Sequence, residues 1–563
     1  MALKFPSRQR VRELALRALT FVPGWLTLAA ASVATSIHLF FMLPYSQQLG
    51  FDEGFEAAAA ERLVDGQWLP YVDAVAHRGP FLYWFLALFQ VLTGRFEFTG
   101  SRALGLTSCV VTVVATLAFG WAARWPLAGA IGAVAYVYAT AVSYDVNAGV
   151  AVTAEPVGIA VLMVACFAAA FGSHRAKTGR GRIGWLVAAG ALLGVATFTK
   201  QTLSLAVFPL GWFIAAIEAG RDDEQVARWK RVATRALLPF VAGGLGLVGL
   251  ILLRYAVVGE LGSFIFWSTG FNAKIYMEPY QGKIISSLVA LFFEWTWAQV
   301  ALALALVVAI GRPLSRIREF SARGLAKAAG STAFETMVGF GAVMLTLGAA
   351  IPLRIWPHYF IPIWPFFGLV AGVGVEGVLR RGEVARVGGQ LVVAVILGSL
   401  LVGFGVRKLL LLHEQRDVQG WYKNPRPNPV CAEIDRLAGP GHEAFFVWGT
   451  YGDLYISCRR PSSSFFTYTT TVAGIVPPFW NEPTLARTAP GSREKLLAEL
   501  TAKPPPVILD APVGSTTMVS MAIYEPFLRA RYCRVPSVAD IFGRSFVFYA
   551  RKDLAACATA APW

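Results

Sequence analysis

Apolar residues run along this chain in long unbroken blocks rather than in the short alternations of a soluble fold. A membrane-spanning helix needs about 20 mostly apolar residues. Blocks of that kind lie near 22–44, 101–123, 127–143, 153–172, 183–199, 201–218, 234–257, 286–311, 333–352, 359–379 and 387–406. They predict a polytopic α-helical membrane protein with about eleven transmembrane helices. A further run, 80–93 (PFLYWFLALFQVLT), is shorter, aromatic and opens on a proline. From about 407 the pattern changes: proline-rich turns (NPRPNP, KPPP) alternate with strand-like runs at 444–449, 506–511 and 545–550 and with helix-like stretches such as SREKLLAEL. That alternation predicts a small α/β domain at 407–563 after a transmembrane domain at 1–406.

Charge orients these elements. If 80–93 lies on the membrane instead of crossing it, one set of loops (the N-terminus, 123–125, 172–182, 218–235, 311–330 and 380–386) carries most of the Lys and Arg between the spans. The opposite loops hold only Arg62, Arg78, Arg95, Lys200, Arg254, Lys274, Lys283 and Arg354. Basic loops stay in the cytoplasm, so this assignment obeys the positive-inside rule in every loop, and a crossing 80–93 would break it throughout. The run 80–93 is therefore read as an interfacial helix. The N-terminus is then cytoplasmic with a retained first helix, and the C-terminal domain is extracytoplasmic. Only 15% of the 563 residues are charged and 56% are hydrophobic, against roughly 25% charged in soluble chains. The net charge of +16 is then topological and does not point to nucleic acid.

Four of the six cysteines (Cys431, Cys458, Cys533, Cys557) fall in the extracytoplasmic domain, where disulfides could form, with the pairing open. Cys109 and Cys166 sit in spans and read as small core residues. No Cys/His spacing suggests structural zinc, and no Walker or dinucleotide glycine motif is present.

The residues with chemical promise share the outer side. In the first outer loop (46–100) Asp52 and Glu53 are adjacent, and His77–Arg78 precede Gly79–Pro80. A carboxylate beside low-dielectric material is well placed to act as a general base. Glu56, Glu61 and Asp65 read instead as ordinary solvated charges. The next outer loop supplies Asp145 and Glu155, the latter at the mouth of a span, where it serves either as a functional acid or as a helix cap. Lys200 in FTKQT, and Arg354 with His358 in PLRIWPHYFIPIWP, stand at outer span ends; with Arg78 they could hold a phosphate whose lipid tail runs between helices. The stretch 258–283, long and aromatic, reads as a mobile cover.

Taken in order, the Asp-Glu of the first loop, HRGP, the Glu-Pro of the second loop, the Lys of FTKQ and HYFIPIWP resemble the membrane glycosyltransferases of the GT-C class over about residues 20–400. That class, glycosyltransferase family 39 included, contains the protein O-mannosyltransferases and the bacterial enzymes that put aminoarabinose on lipid A. The resemblance implies direct inverting transfer, outside the cytoplasm, of a sugar from a polyprenyl-monophosphate donor. By position Asp52 resembles the catalytic base and Glu53 its support, and Glu155 stands at the second acidic position. Arg78, in an Arg-Gly-Pro run where the class has Lys-Pro-Pro, Lys200, Arg354 and His358 match donor-phosphate contacts. His77, Asp145 and Tyr359 fall among the substrate contacts. No cofactor is required, although a divalent metal could bridge Asp52 and Glu155. The sugar-binding-like domain of the protein mannosyltransferases is absent, so the expected acceptor is a cell-envelope glycan or glycolipid such as lipopolysaccharide. The expected setting is a bacterial inner membrane. The alternative is a lipid-linked-sugar transporter or flippase without transferase activity, which should carry ionisable groups at mid-span.

Overall fold

The computed structural model describes residues 51–142, 152–176, 179–221, 225–277, 322–352, 357–381, 428–475, 483–511, 516–539 and 545–559. The expected spans near 22–44, 286–311 and 387–406 lie outside them. The other eight are all helices: α3 (Phe98–Ala122), α4 (Pro126–Val142), α5 (Ala154–His174), α6 (Gly179–Thr197), α7 (Val207–Ala219, after a 3-10 turn from Gln201), α8 (Leu238–Val257), α9 (Ala333–Ala350) and α10 (Trp364–Arg381). Among the described residues six helices are long and apolar enough to cross a membrane: 98–122, 154–174, 201–219, 228–257, 333–350 and 358–377. α4 is shorter, and α6 opens on Arg180 and Arg182. The bundle core is built from small and aromatic side chains such as Ala165, Ala169, Phe119, Phe213 and Phe366, all buried.

Two helices precede the bundle, α1 (Phe51–Asp65) and α2 (Pro80–Thr93). α2 begins where the sequence allows. Gly79 is extended (φ −67°, ψ 151°), and Pro80 follows at the first helical position, where its missing N–H costs nothing. One side of α2 buries Leu82, Tyr83, Leu86 and Gln90 while Leu88, Val91 and Leu92 stay exposed, so one apolar face of the helix is uncovered. Gly79 is a glycine for a second reason: a Cβ there would fall 1.8 Å from the carbonyl oxygen of Phe198, at the end of α6. The Phe81 N–H donates to that same carbonyl at 3.2 Å. The loop between α1 and α2 is held in uncommon backbone states, with Trp68 (φ 59°) and Tyr71 (φ 71°) left-handed. Such states persist only where surrounding contacts impose them. Here the Tyr71 hydroxyl donates to the Arg78 carbonyl at 2.5 Å, and the Trp68 carbonyl accepts from Trp84 at 2.8 Å.

The C-terminal region carries α11 (Pro429–Ala438), α12 (Ser492–Ala502), α13 (Glu525–Arg531) and a four-stranded sheet. Its strands are β1 (Phe446–Trp448), β2 (Val507–Asp510), β3 (Tyr532–Ala539) and β4 (Ser545–Arg551), in the order β1-β2-β4-β3. β1 and β2 are parallel, and the other pairs are antiparallel. Three strands fall on the expected runs. The fourth, β3, contains Pro536 and a bulge between Val535 and Val538, features that hide an edge strand from a pattern search. Disulfides join Cys431 to Cys458 and Cys533 to Cys557, and Cys109 and Cys166 are buried and free.

The sheet region seats directly on α1. A Cβ on Gly54 would lie 2.6 Å from the Asp453 nitrogen, and one on Gly452 would lie 2.5 Å from Phe55 Cα, so the two backbones meet through paired glycines. One apolar cluster then runs through Phe55, Tyr71, Tyr83, Tyr255, Phe264, Trp267, Phe465 and Tyr468, joining the first loop, the α8 end and the C-terminal region. Within the expected loop 258–283, residues 261–276 are helical, with π-helical stretches at Phe266–Gly270 and Asn272–Tyr276.

Gly79→Ala should lower the apparent unfolding temperature in detergent, because overpacking against a fixed backbone costs about 1–3 kcal/mol. Gly246→Ala, whose added methyl meets nothing within 4 Å inside an exposed helix, should raise it slightly in the same thermal scan, since Ala is the better helix former.

Candidate active site

Asp52 and Glu56 are four residues apart on α1, so one face of the helix presents both carboxylates. Arg78 lies against that face. Its Nη2 is 3.0 Å from Asp52 Oδ2 and its Nε is 3.1 Å from Glu56 Oε1. Arg78 is buried, the Asp52 side chain keeps 30% of its surface, and Glu56 has none. Burial works against the Arg78 charge, but Asp52 and Glu56 outweigh it and push its pKa up. Burial pushes the Glu56 carboxyl well above the usual range, against the pull of Arg78, and Asp52 and Glu155 add to the rise.

The Gly79–Phe198 contact brings the second ion pair alongside. Lys200, two residues after Phe198, places Nζ 2.5 Å from Oε1 of Glu155 in the first turn of α5. The same ammonium lies 4.3 Å from the centre of the Tyr359 ring, a cation–π contact, and His358 packs edge-on against Tyr359. Lys200 and Arg78 are the cations whose charges act on Glu155, and His358 stands close by. Asp52, Arg78, Glu155, Lys200, His358 and Tyr359 are thus brought together. Asp145 and Arg354 lie outside the described residues.

His77 and its neighbours make the other wall. Its Nδ1 is 2.8 Å from the hydroxyl of Tyr468, and its carbonyl accepts from Asn272 Nδ2 at 2.8 Å. Phe55, Phe271 and Tyr276 surround the imidazole, with Tyr276 stacked at 6.1 Å. A cleft opens here, lined by Asp52, Arg78, His77, Phe271 and Tyr276 on the transmembrane side. Thr450, Tyr468, Thr470 and Ile475 of the C-terminal region close it. None of these four was flagged by the sequence, because nothing local distinguishes them from other residues of a small α/β domain.

Three first-loop readings need correction. Glu53 does not share the Asp52 cleft: it is fully buried on the other side of α1. Both its oxygens accept from Arg102 Nη1, at 2.6 and 2.8 Å, and Oε1 accepts from the Val152 N–H at 3.1 Å. Consecutive helical residues point about 100° apart, so the adjacent acids face different surroundings. Glu56 and Glu61, read as solvated, are buried on a helix that also packs against Ile456 and Ser462, about four hundred positions downstream. Glu61 accepts from Arg95 Nε and the Phe96 N–H at 3.0 and 2.9 Å. Asp65 is exposed as expected and pairs with Arg95. A divalent ion between Asp52 and Glu155 fits the arrangement poorly, because each carboxylate already faces a cation, and among the described residues no three ligand-type side chains converge.

Residues 77–243 match the protein family described as dolichyl-phosphate-mannose-protein mannosyltransferase. No curated protein sequence matches the chain. Among solved structures, ArnT from Cupriavidus metallidurans bound to undecaprenyl phosphate superposes with a TM-score of 0.54 at 16% identity, over 96% of this chain and 99% of that one. The apo form of the same protein gives 0.50 at 16% identity, with the same coverage. An oligosaccharyltransferase from Archaeoglobus fulgidus gives 0.45 at 11% identity, over 93% of this chain and 74% of that one. The fold is therefore the GT-C fold of a multi-pass membrane protein, as the resemblance implied.

Glu53→Ala should leave Arg102 buried without its carboxylate, which costs about 3–5 kcal/mol. The expected result is loss of the monodisperse protein on size-exclusion chromatography, whereas Asp52→Asn should elute as wild type.

Proposed function

We propose that this chain is an inverting glycosyltransferase that moves a sugar from a polyprenyl-phosphate donor to a hydroxyl of a cell-envelope glycan or glycolipid. The observation that carries the reading is Asp52 beside Arg78, the carboxylate half-open to the cleft and the guanidinium at the mouth of the membrane bundle. The GT-C fold, and a fold relative solved with undecaprenyl phosphate, support a lipid-phosphate donor.

An acceptor hydroxyl has a pKa far above neutral, so it needs a base as it attacks. Asp52 takes the hydroxyl proton as the new oxygen–anomeric carbon bond forms from the face opposite the leaving group. The bond from that carbon to the phosphate oxygen breaks, and its electron pair stays on the phosphate, whose charge rises by one. Arg78 and Lys200 stabilise that growing charge, with Arg354 and His358 as further donors. Tyr359 fixes the Lys200 ammonium through its ring face, and Glu155 holds the same ammonium from the other side. His77, steadied by Tyr468, and Asp145 contact the sugars. Glu53 contributes by pinning the α1 backbone through Arg102. No step needs a metal or a nucleotide site.

Two disulfides in the C-terminal region favour an oxidising, extracytoplasmic compartment. With the loop charges, they support a C-terminal region outside and an N-terminus in the cytoplasm; the setting we propose is a bacterial inner membrane. The flippase reading is weaker because charge avoids mid-span. In α5 the ionisable groups are Glu155 and His174, at opposite ends of a helix about 32 Å long.

In membranes supplied with polyprenyl-phosphate sugar and acceptor, Asp52→Asn should cut kcat by a factor of about 10²–10⁴ with little change in donor binding. Undiminished transfer would refute the assignment of the base, and lipid movement without transfer would favour the flippase. A phosphatase fused after Trp563 should be active on intact cells; a well-expressed but silent fusion would overturn the topology.

A further inference from the structure

The transfer scheme above leaves one acid at its centre unused. Glu56 has no exposed surface, its Oε1 takes the Arg78 Nε at 3.1 Å, and among the described residues nothing hydrogen-bonds to its Oε2. Two carboxylates therefore flank one guanidinium, while the neighbouring Lys200–Glu155 pair is already balanced. If both acids were ionised, the described residues of the cluster would carry one uncompensated negative charge where an anionic donor must dock. An unpaired buried charge is costly, and a proton relieves it. Of the two acids, Asp52 retains contact with solvent and Glu56 does not, so the proton belongs on Glu56.

Resting on the transferase reading, we propose that Glu56 is a positioning residue which, as a neutral carboxylic acid, holds the Arg78 guanidinium edge-on between Asp52 and the donor phosphate. In that state the Arg78 and Asp52 charges cancel, the cluster as a whole is neutral, and the donor's phosphate meets no net repulsion. The fixed Nε contact leaves the rest of the guanidinium to turn toward the developing phosphate charge. The groups that act on Glu56 come from each packed element: Arg78 before α2, Asp52 on α1, Glu155 on α5, Tyr83 on α2 and Tyr468 from the C-terminal region. When the pH rises far enough for Glu56 to ionise, the cluster turns anionic and repels the donor, so activity should fall on the alkaline side through a rise in the donor KM.

The test compares Glu56→Gln and Glu56→Ala with wild type in the full-length protein. Gln keeps the size and an acceptor oxygen for Arg78 Nε but cannot ionise. It should retain transfer within about threefold and lose the alkaline rise in KM. Ala frees the guanidinium and should raise the donor KM on the order of a hundredfold. The proton is read independently of activity, by infrared spectroscopy of the purified protein at neutral pH. The wild-type minus Gln difference spectrum should contain the carbonyl stretch of a protonated carboxylic acid; taking the difference removes Asp510, a second buried acid with its pKa pushed up by burial to about 6. Gln as damaging as Asp52→Asn, Ala as active as wild type, or a difference spectrum without the band would each overturn the proposal. A wild-type preparation with no transfer would instead refute the transferase reading, and the infrared band would still decide whether Glu56 carries the proton.

Discussion

Gly79 lies against the Phe198 carbonyl with no room for a side chain between them, and the geometry of the charged cluster descends from that contact. One residue before Gly79 is Arg78, and two residues after Phe198 is Lys200. Pressing the two backbones together sets a guanidinium and an ammonium side by side, each at the end of an apolar segment. Like charges so close would separate if left alone. Asp52 on α1 and Glu155 on α5 keep them there, and Glu155 in turn tolerates its burial only because Lys200 faces it. The cluster is held in place by packing and made bearable by pairing.

The wall on the far side obeys a different logic. His77, Tyr276, Phe271, Phe55 and Tyr468 meet ring to ring, with polar edges committed to named partners, such as the His77–Tyr468 and His77–Asn272 hydrogen bonds. Aromatic faces bind the apolar faces of sugar rings while leaving hydroxyls free for polar groups. The cleft therefore has an ionic side suited to phosphate and an aromatic side suited to a carbohydrate, and Asp52 stands between them.

Much of this was written plainly in the sequence, for physical reasons. Spans are legible because lipid demands long apolar runs, and every expected span within the described residues is a helix. Asp52, Arg78, Glu155 and Lys200 stand out because an ionisable residue at the edge of an apolar block needs a partner. Glu56 and Glu61 were not legible, since their burial depends on a roof built from Tyr455, Ile456 and Tyr468, far along the chain. Glu53 misled through adjacency: a neighbour in sequence is not a neighbour on a helix face. The β3 strand was hidden by its proline, and the disulfide pairing needed the fold.

The paired glycines at 54 and 452 have a consequence for biogenesis. α1 carries the proposed base, yet its packing surface is made by residues about four hundred positions later in the chain: Ala57 against Ile456, Ala58 in one cluster with Tyr455, and Arg62 donating to the Ser462 carbonyl at 2.7 Å. A bundle newly inserted in the membrane would hold the lipid-facing half of the site while α1 still lacked its seat. The cleft closes only when the C-terminal region has folded against α1. Assembly of the cleft is thereby tied to folding of the C-terminal region, and a product without that region would leave the charged cluster open to water.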